Sequence, residues 1–216
     1  MTRNAEIDRT GAGRPVDMDK DRKILAAGRA LLFGDGPLAV TMEAVARAAG
    51  VSKPTVYRRY ANREELLAAI AECEAASMAA RFAVVPGSAE DLRQALTDFA
   101  THLSRFLTGE EHVRFTRALG LADSLSHSAR MTIFHNGPLQ TRNRLSDWLK
   151  RAAARGLIHC PDPAFSAEKF LGSLMGLDLV RTLYHAPSHR DEAELTVRVA
   201  SVVDDFLRLH RRESAG

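Results

Sequence analysis

The chain has 216 residues, 45% of them hydrophobic and 26% charged, which is enough for one or two domains with a real core and no covalent staples. Two cysteines, Cys73 and Cys160, exclude a disulfide scaffold or a zinc ribbon and suit a reducing cytosol. No stretch approaches the ~18 consecutive apolar residues of a membrane span, and a net charge of +3 is too mild to announce a polyanionic partner by itself.

Residues 1–18 carry three Arg and three acids with Gly11, Gly13 and Pro15, and lack the apolar run of a signal peptide. They read as a flexible tail, or as an arm whose Arg3, Arg9 or Arg14 reaches a DNA minor groove. From Lys20 onward the apolar residues recur with helical period. Ile24, Ala27, Gly28, Leu31 and Leu32 form one stripe that Gly34-Asp35-Gly36-Pro37 ends. Thr41 is a good N-cap for a short helix with Met42, Val45, Ala46 and Ala49 on one face. Gly50 stops it, and Ser52 caps the next helix with Pro54 in its first turn. Asn62 with Glu65 reads as a capping box opening a helix to about Ala83.

Ser88 opens a helix to about Phe106, and another runs from about Glu110 to Ala122. A third starts near Ser126, is interrupted or kinked at Gly137-Pro138, and ends at Arg155 with Gly156 as C-cap. One long apolar helix is expected from Pro163 to about His185, and a last one over about Arg190 to Arg211. No segment alternates with period two for long enough to be a strand. The expectation is an all-α fold of nine to ten helices. It divides into a tail (1–18), a helix-turn-helix domain with its connecting helix (19–84) and a helical effector-binding and dimerisation domain (85–216).

The chemistry concentrates in residues 42–60. Two short helices joined by Ala49-Gly50-Val51-Ser52 meet the needs of a helix-turn-helix. Gly50 supplies a left-handed turn residue, Ala46 is small where the helices cross, and Val51 and Val56 are apolar beneath the turn. The second helix of such a unit lies in the major groove. From residue 44 to 63 there are five cations (Arg47, Lys53, Arg58, Arg59, Arg63) and no acid, against 12 cations and 11 acids over residues 1–76. The basicity is therefore local to the element that meets phosphate. A solvated basic face on a helical protein that binds no DNA has the same composition.

The run TMEAVARAAGVSKPTVYRRYANREELLAAI resembles the N-terminal domain of the tetracycline-repressor (TetR) family, with the match spanning residues 23–70. The matching positions include Thr41, Val45, Ala46, Gly50, Val51, Ser52, Val56, Tyr57, Tyr60, Glu65 and Leu66. Where the family usually has His, Phe and Lys, this chain has Arg59, Tyr60 and Arg63. The resemblance implies that Thr41 and Ser52 hold phosphates, that Thr55 and Pro54 face base edges or a thymine methyl, and that Tyr57 and Arg63 grip the backbone. Lys53 and Arg58 are implied as cationic neighbours on base or phosphate, and Tyr60 as core. The stretches WLKRAAARGLI and DPAFSAEKFLGSLMG are similar to the AefR-like subgroup, whose C-terminal domains bind small effectors and dimerise.

Dimerisation has support in the residues too. The last helix carries Leu195, Val199, Val202, Val203 and Phe206 at helical spacing, and the preceding helix is apolar nearly all round. Gly172 and Gly176 lie one turn apart, as in small-xxx-small helix packing. The same stripes fill a monomer's core equally well. Phe99, His102, Phe106, Phe115, Leu119, Phe134, Trp148 and Phe170 are the candidate lining of an effector pocket, with His102 and His135 able to orient a polar group.

No metal spacing is convincing, since Pro187 separates His185 from His189. There is no phosphate loop and no HExxH, and Gly172-Ser173-Leu174-Met175-Gly176 is not a nucleophile elbow. Asp204-Asp205 reads as solvated face. The expectation is a cytoplasmic, homodimeric transcriptional regulator with no cofactor and no membrane partner. In this reading it is a repressor that an unknown small molecule releases from a palindromic operator in double-stranded DNA. The alternatives are an activator without a small-molecule effector, or a helical protein-interaction module.

Overall fold

A computed structural model describes residues 14–121, 125–186 and 191–211, and the described residues form eleven α-helices and no strand. The helices are α1 (Arg14–Gly34), α2 (Met42–Ala48), α3 (Lys53–Tyr57), α4 (Arg63–Met78), α5 (Ala89–Thr108), α6 (Glu110–Leu121), α7 (His127–Asn136), α8 (Pro138–Ala154), α9 (Pro163–Met175), α10 (Asp178–Leu183) and α11 (Glu192–Leu209). Short 3-10 turns follow α1 (Pro37–Ala39) and α4 (Ala80–Ala83). The first helix begins at Arg14, ahead of the Lys20 start expected, while Arg3 and Arg9 lie outside the described residues.

The caps explain most of the helix starts. Thr41 Oγ1 accepts from Ala44 N–H at 3.1 Å, and Asn62 Oδ1 accepts from Glu65 N–H at 2.8 Å while Glu65 reaches back to Ala61 N–H. These bonds satisfy donors that a helix leaves open at its first turn. Ser88, Ser126, Asp162 and Asp191 do the same for α5, α7, α9 and α11.

Two buried clusters hold the molecule. The upper one joins α1 to α4 through Ile24, Leu32, Phe33, Val45, Val56, Leu66 and Ile70, and it also draws in Phe115, Leu125, Ala129 and Ile133. The lower one gathers Phe82, Leu96, Phe99, Trp148, Leu149, Phe170, Val199 and Phe206. Helices α6 and α7 thus pack into the core of the N-terminal helices. Arg29 ties α1 to α4 and α6, through Glu74 at 2.7 Å and Glu111 at 3.4 Å.

The long helix expected from Pro163 to His185 is broken. Gly176 takes a φ of +50° between α9 and α10, a conformation that costs glycine little. Arg198 of α11 donates to the α9 carbonyls of Ser173 (2.8 Å) and Leu174 (3.1 Å), and so satisfies acceptors that the helix end leaves open. A Cβ on Gly176 would collide with Arg198 Nη2, so this glycine marks a helix end against an arginine and not a helix-packing groove. Gly172, by contrast, faces open space.

The stripe of α11 is also placed differently from the dimer reading. Leu195, Val199 and Phe206 are buried inside the protomer, in the lower cluster, and Val202 is half-buried against it. From α9 to α11 the large apolar residues left in the open, among the described residues, are Phe165, Met175, Leu177, Leu179, Val180, Leu183, Tyr184, Val197 and Leu209.

Candidate nucleic-acid interface and internal cavity

The turn between α2 and α3 is a Schellman motif. Val51 N–H bonds Ala46 O at 3.0 Å and Gly50 N–H bonds Arg47 O at 3.3 Å, with Gly50 at φ +65°. That pair of hydrogen bonds fixes how α2 enters the turn. Val45, Ala46 and Val56 are buried under it, so α3 is held rigidly and its other side is free.

The free side is where most of the expected contacts lie. Thr41, Arg47, Ser52, Lys53, Pro54, Tyr57 and Arg58 are all exposed. Thr41 accepts from a backbone N–H, which leaves its hydroxyl proton available to a phosphate oxygen. Lys53 pairs with Glu43 of α2 and stands over the Tyr57 ring at 5.6 Å. The pair holds the Lys53 ammonium above its usual range and the Glu43 carboxyl below its own, through their shared hydrogen bond. This acid lies one residue before the acid-free run and tempers it.

Three residues of the run turn inward. Thr55 is only 7% exposed, and its hydroxyl shares a 2.7 Å hydrogen bond with Ser52 Oγ, so it supports the start of α3 and does not face a groove. Arg63 donates from Nε to Val40 O and from Nη2 to Pro37 O, each at 2.7 Å, and so ties the turn after α1 to the start of α4. These bonds hold its Nε and Nη2 on protein carbonyls, where the resemblance implied a grip on the DNA backbone. Arg59 pairs with Asp21 of α1. Tyr60 packs against the upper cluster, as expected.

A second feature lies behind this surface. A partly open cavity of about 240 Å³ with almost wholly apolar walls lies between α1, α4, α5, α6, α7, α8 and α9. Phe106, Phe115, Leu119 and Phe134 line it, as the sequence suggested. Phe99, Trp148 and Phe170 do not: they fill the lower cluster, and Trp148 Nε1 donates to Val84 O at 2.9 Å. His102 and His135 are not among its lining residues.

The sequence reading missed His112 and Phe33. Phe33, near the end of α1, borders the cavity and sits 5.6 Å from the Phe106 ring and 5.1 Å from the Phe115 ring. His112 lies among the same rings, 4.6 Å from Phe106 and 5.9 Å from Phe115. Burial pushes its imidazole down to about 4, so the ring is neutral at ordinary pH. Its position between two phenylalanines, Phe106 and Phe115, was the available signal. Elsewhere, a 440 Å³ hollow between α5 and α11 is open and bordered by Arg93, Asp204, Arg208 and Arg211.

Among the described residues no group of His, Cys, Asp and Glu could hold a metal, and no helix is long and apolar enough to cross a membrane.

Comparison with known proteins gives a consistent result. Residues 24–70 match the tetR family of bacterial regulatory proteins, and residues 94–212 match the C-terminal domain of AefR-like transcriptional repressors. An uncharacterized HTH-type transcriptional regulator of Bacillus subtilis (strain 168), YdeS, is 31% identical over 146 residues, covering 66% of this chain and 71% of its own length. The flavonoid-responsive regulator FrrA is 26% identical, with a TM-score of 0.65 over 91% of this chain and 99% of its own. A TetR transcriptional regulator from Agrobacterium tumefaciens is 25% identical, with a TM-score of 0.69 over 90% of this chain and 95% of its own.

Proposed function

The chain belongs to the tetR family of bacterial transcriptional regulators, and from that premise we propose that it binds a two-fold-symmetric DNA operator as a homodimer and leaves it when a small molecule fills the cavity behind α1. The observation that carries the reading is Phe33. One helix, α1, packs on the helix-turn-helix at Ile24 and Leu32 and lends Phe33 to the cavity wall. What enters the cavity therefore bears directly on the helix that carries the reading head.

At the DNA, Ser52, Lys53, Pro54, Tyr57 and Arg58 are the groove-facing and phosphate-facing set, with Thr41 at the start of α2. Thr55 and Arg63 act one layer back, by fixing α3 and the turn before α2. The exposed apolar residues of α9, α10 and α11, Leu177, Val180 and Val197 among them, supply the dimer contact. Two copies related by a two-fold axis would then present two copies of α3 to half-sites of a palindrome.

Release needs only that the small molecule bind the operator-incompetent arrangement more tightly than the competent one. That FrrA is flavonoid-responsive by name supports a small-molecule signal here. The reading includes no catalytic step. A gel shift with the DNA upstream of its own gene tests it. A shifted band weakened by Arg58→Ala supports the reading, and no shift with any promoter-proximal fragment refutes it in favour of a protein-interaction module.

A further inference from the structure

We propose that the cavity takes an uncharged, mainly apolar compound of about two fused rings bearing one hydrogen-bonding oxygen, and that the imidazole of His112 is the partner of that oxygen. The inference rests on the reading of the cavity as the effector site.

Three observations carry it. The first is an orphan. His112 borders the cavity, and its Nδ1 is enclosed without a hydrogen-bond partner. Enclosed polar atoms in native proteins nearly always have one. The χ2 torsion of histidine is broad and roughly two-fold, so a half-turn of the ring exchanges its edges and presents either nitrogen to a bound molecule.

The second is that the other polar side chains of the wall are already engaged. Glu74 accepts from Arg29 at 2.7 Å, Arg130 donates to Leu119 O at 3.0 Å and Leu125 O at 3.3 Å, and Thr141 donates to Gly137 O at 3.2 Å. Recognition of one polar group therefore falls to His112. Burial keeps its ring neutral, so it offers one donor and one acceptor and no charge. A phenolic hydroxyl or a ketone suits it, while an ionised carboxylate would meet a neutral imidazole and an Arg130 whose Nε and Nη1 are already turned to the carbonyls of Leu125 and Leu119.

The third is size and wall chemistry. A dry apolar cavity of roughly 150 Å³ is known to hold a benzene; at about 240 Å³ this one suits something nearer two fused rings. Phe33, Phe106, Phe115 and Phe134 line it with phenyl faces and edges, which favour offset and edge-to-face contact with a flat molecule.

Equilibrium dialysis of the full-length protein at neutral pH against naphthol, naphthalene and naphthoate tests this. Naphthol should bind on the order of tenfold more tightly than naphthalene, as one added hydrogen bond gives, and naphthoate more weakly than either. His112→Leu should erase the preference for naphthol while naphthalene still binds, which shows the cavity intact. His112→Gln, which keeps a hydrogen-bonding head, should retain part of it. Equal binding of naphthol and naphthalene, tight naphthoate, no binding of any probe, or a naphthol preference that survives His112→Leu each overturns the proposal. The effector reading fails separately: if an occupied cavity leaves DNA affinity unchanged, the site binds rings but does not regulate.

Discussion

The ring of Phe33 on α1 meets the ring of Phe106 on α5 edge-on, with centroids 5.6 Å apart and planes at 79°. This contact joins the helix that carries the reading head to the first long helix of the C-terminal part, at the wall of the cavity. Such a pair contributes about 0.5–1.5 kcal/mol beyond the area it buries. Phe33→Leu and Phe106→Leu should each destabilise the protein, and the double variant should lose less than the two single losses combined. The shortfall in urea unfolding should match the ring-pair energy. Strictly additive losses would show that the two rings do not act together.

Arg58 and Arg63 lie on the same basic run but should behave oppositely. Arg58 is exposed beside α3, so Arg58→Ala should leave the melting temperature unchanged, weaken DNA binding, and make the salt dependence shallower by about one counterion. Arg63 holds Pro37 O and Val40 O. Arg63→Ala takes the side-chain donor from Val40 O, while Pro37 O keeps the Val40 N–H at 3.3 Å, and should cost roughly 1–3 kcal/mol of stability. Its salt slope should stay that of the unaltered protein, since no phosphate contact is lost. Titration of labelled operator DNA across several salt concentrations, beside thermal melts, checks both. A shallower slope for Arg63→Ala would return that residue to the phosphate.

Much of the DNA-binding unit is legible in the sequence because its determinants are local. Thr41, Gly50, Asn62 and Glu65 act within four residues of themselves, through caps and a turn, and Ser52 does so through its hydroxyl bond to Thr55 and not through the side-chain cap expected of it. The inward turn of Arg59 and Arg63 is not legible, because their partners Asp21, Pro37 and Val40 are more than twenty residues away in sequence. The break at Gly176 is hidden for the same reason: Arg198, which satisfies the end of α9, comes from another helix. Periodicity marked Leu195, Val199 and Phe206 as needing burial, but an apolar stripe does not say whether its cover is the same chain or a second one. Of the eight expected cavity residues, Phe106, Phe115, Leu119 and Phe134 line it; Phe99, Trp148 and Phe170 are core, because ring size alone does not separate a wall from a filling.

Val197 and Val199 separate those two kinds of burial. Val197 is 70% exposed beside a shallow groove between α9 and α11, whereas Val199 is 2% exposed in the lower cluster. Val197→Glu should keep the monomer fold, since nothing in the protomer is disturbed. It should dissociate the dimer by setting carboxylates together across the two-fold axis, and should weaken operator binding at least tenfold. Val199→Glu should instead unfold the protein, because a charge would be buried without a partner. Sedimentation equilibrium with circular dichroism distinguishes these outcomes. A Val197→Glu protein that sediments as a dimer would move the interface away from this face.

The buried imidazole of His112 makes stability depend on pH in a defined window. Burial lowers its proton affinity in the folded state to about 4, from the ordinary 6.5. The unfolded chain therefore binds more protons between those values, and stability must fall as pH drops through them. The contribution is fully present above about pH 6.5. About 2 of its roughly 3 kcal/mol is lost by about pH 5, and the rest as pH approaches 4. The carboxyls of Asp19, Glu43 and Glu192 are also held low, by hydrogen bonds to Lys23, Lys53 and Arg105 respectively, but they are exposed and common to the native protein and His112→Leu, so they cancel in the comparison. Urea unfolding of the native protein and of His112→Leu from about pH 7 to about pH 5 should show the native protein losing about 2 kcal/mol more than the variant. Parallel stability curves would mean that the imidazole becomes protonated in the folded state as easily as in water, and so is not enclosed among Phe33, Phe106 and Phe115.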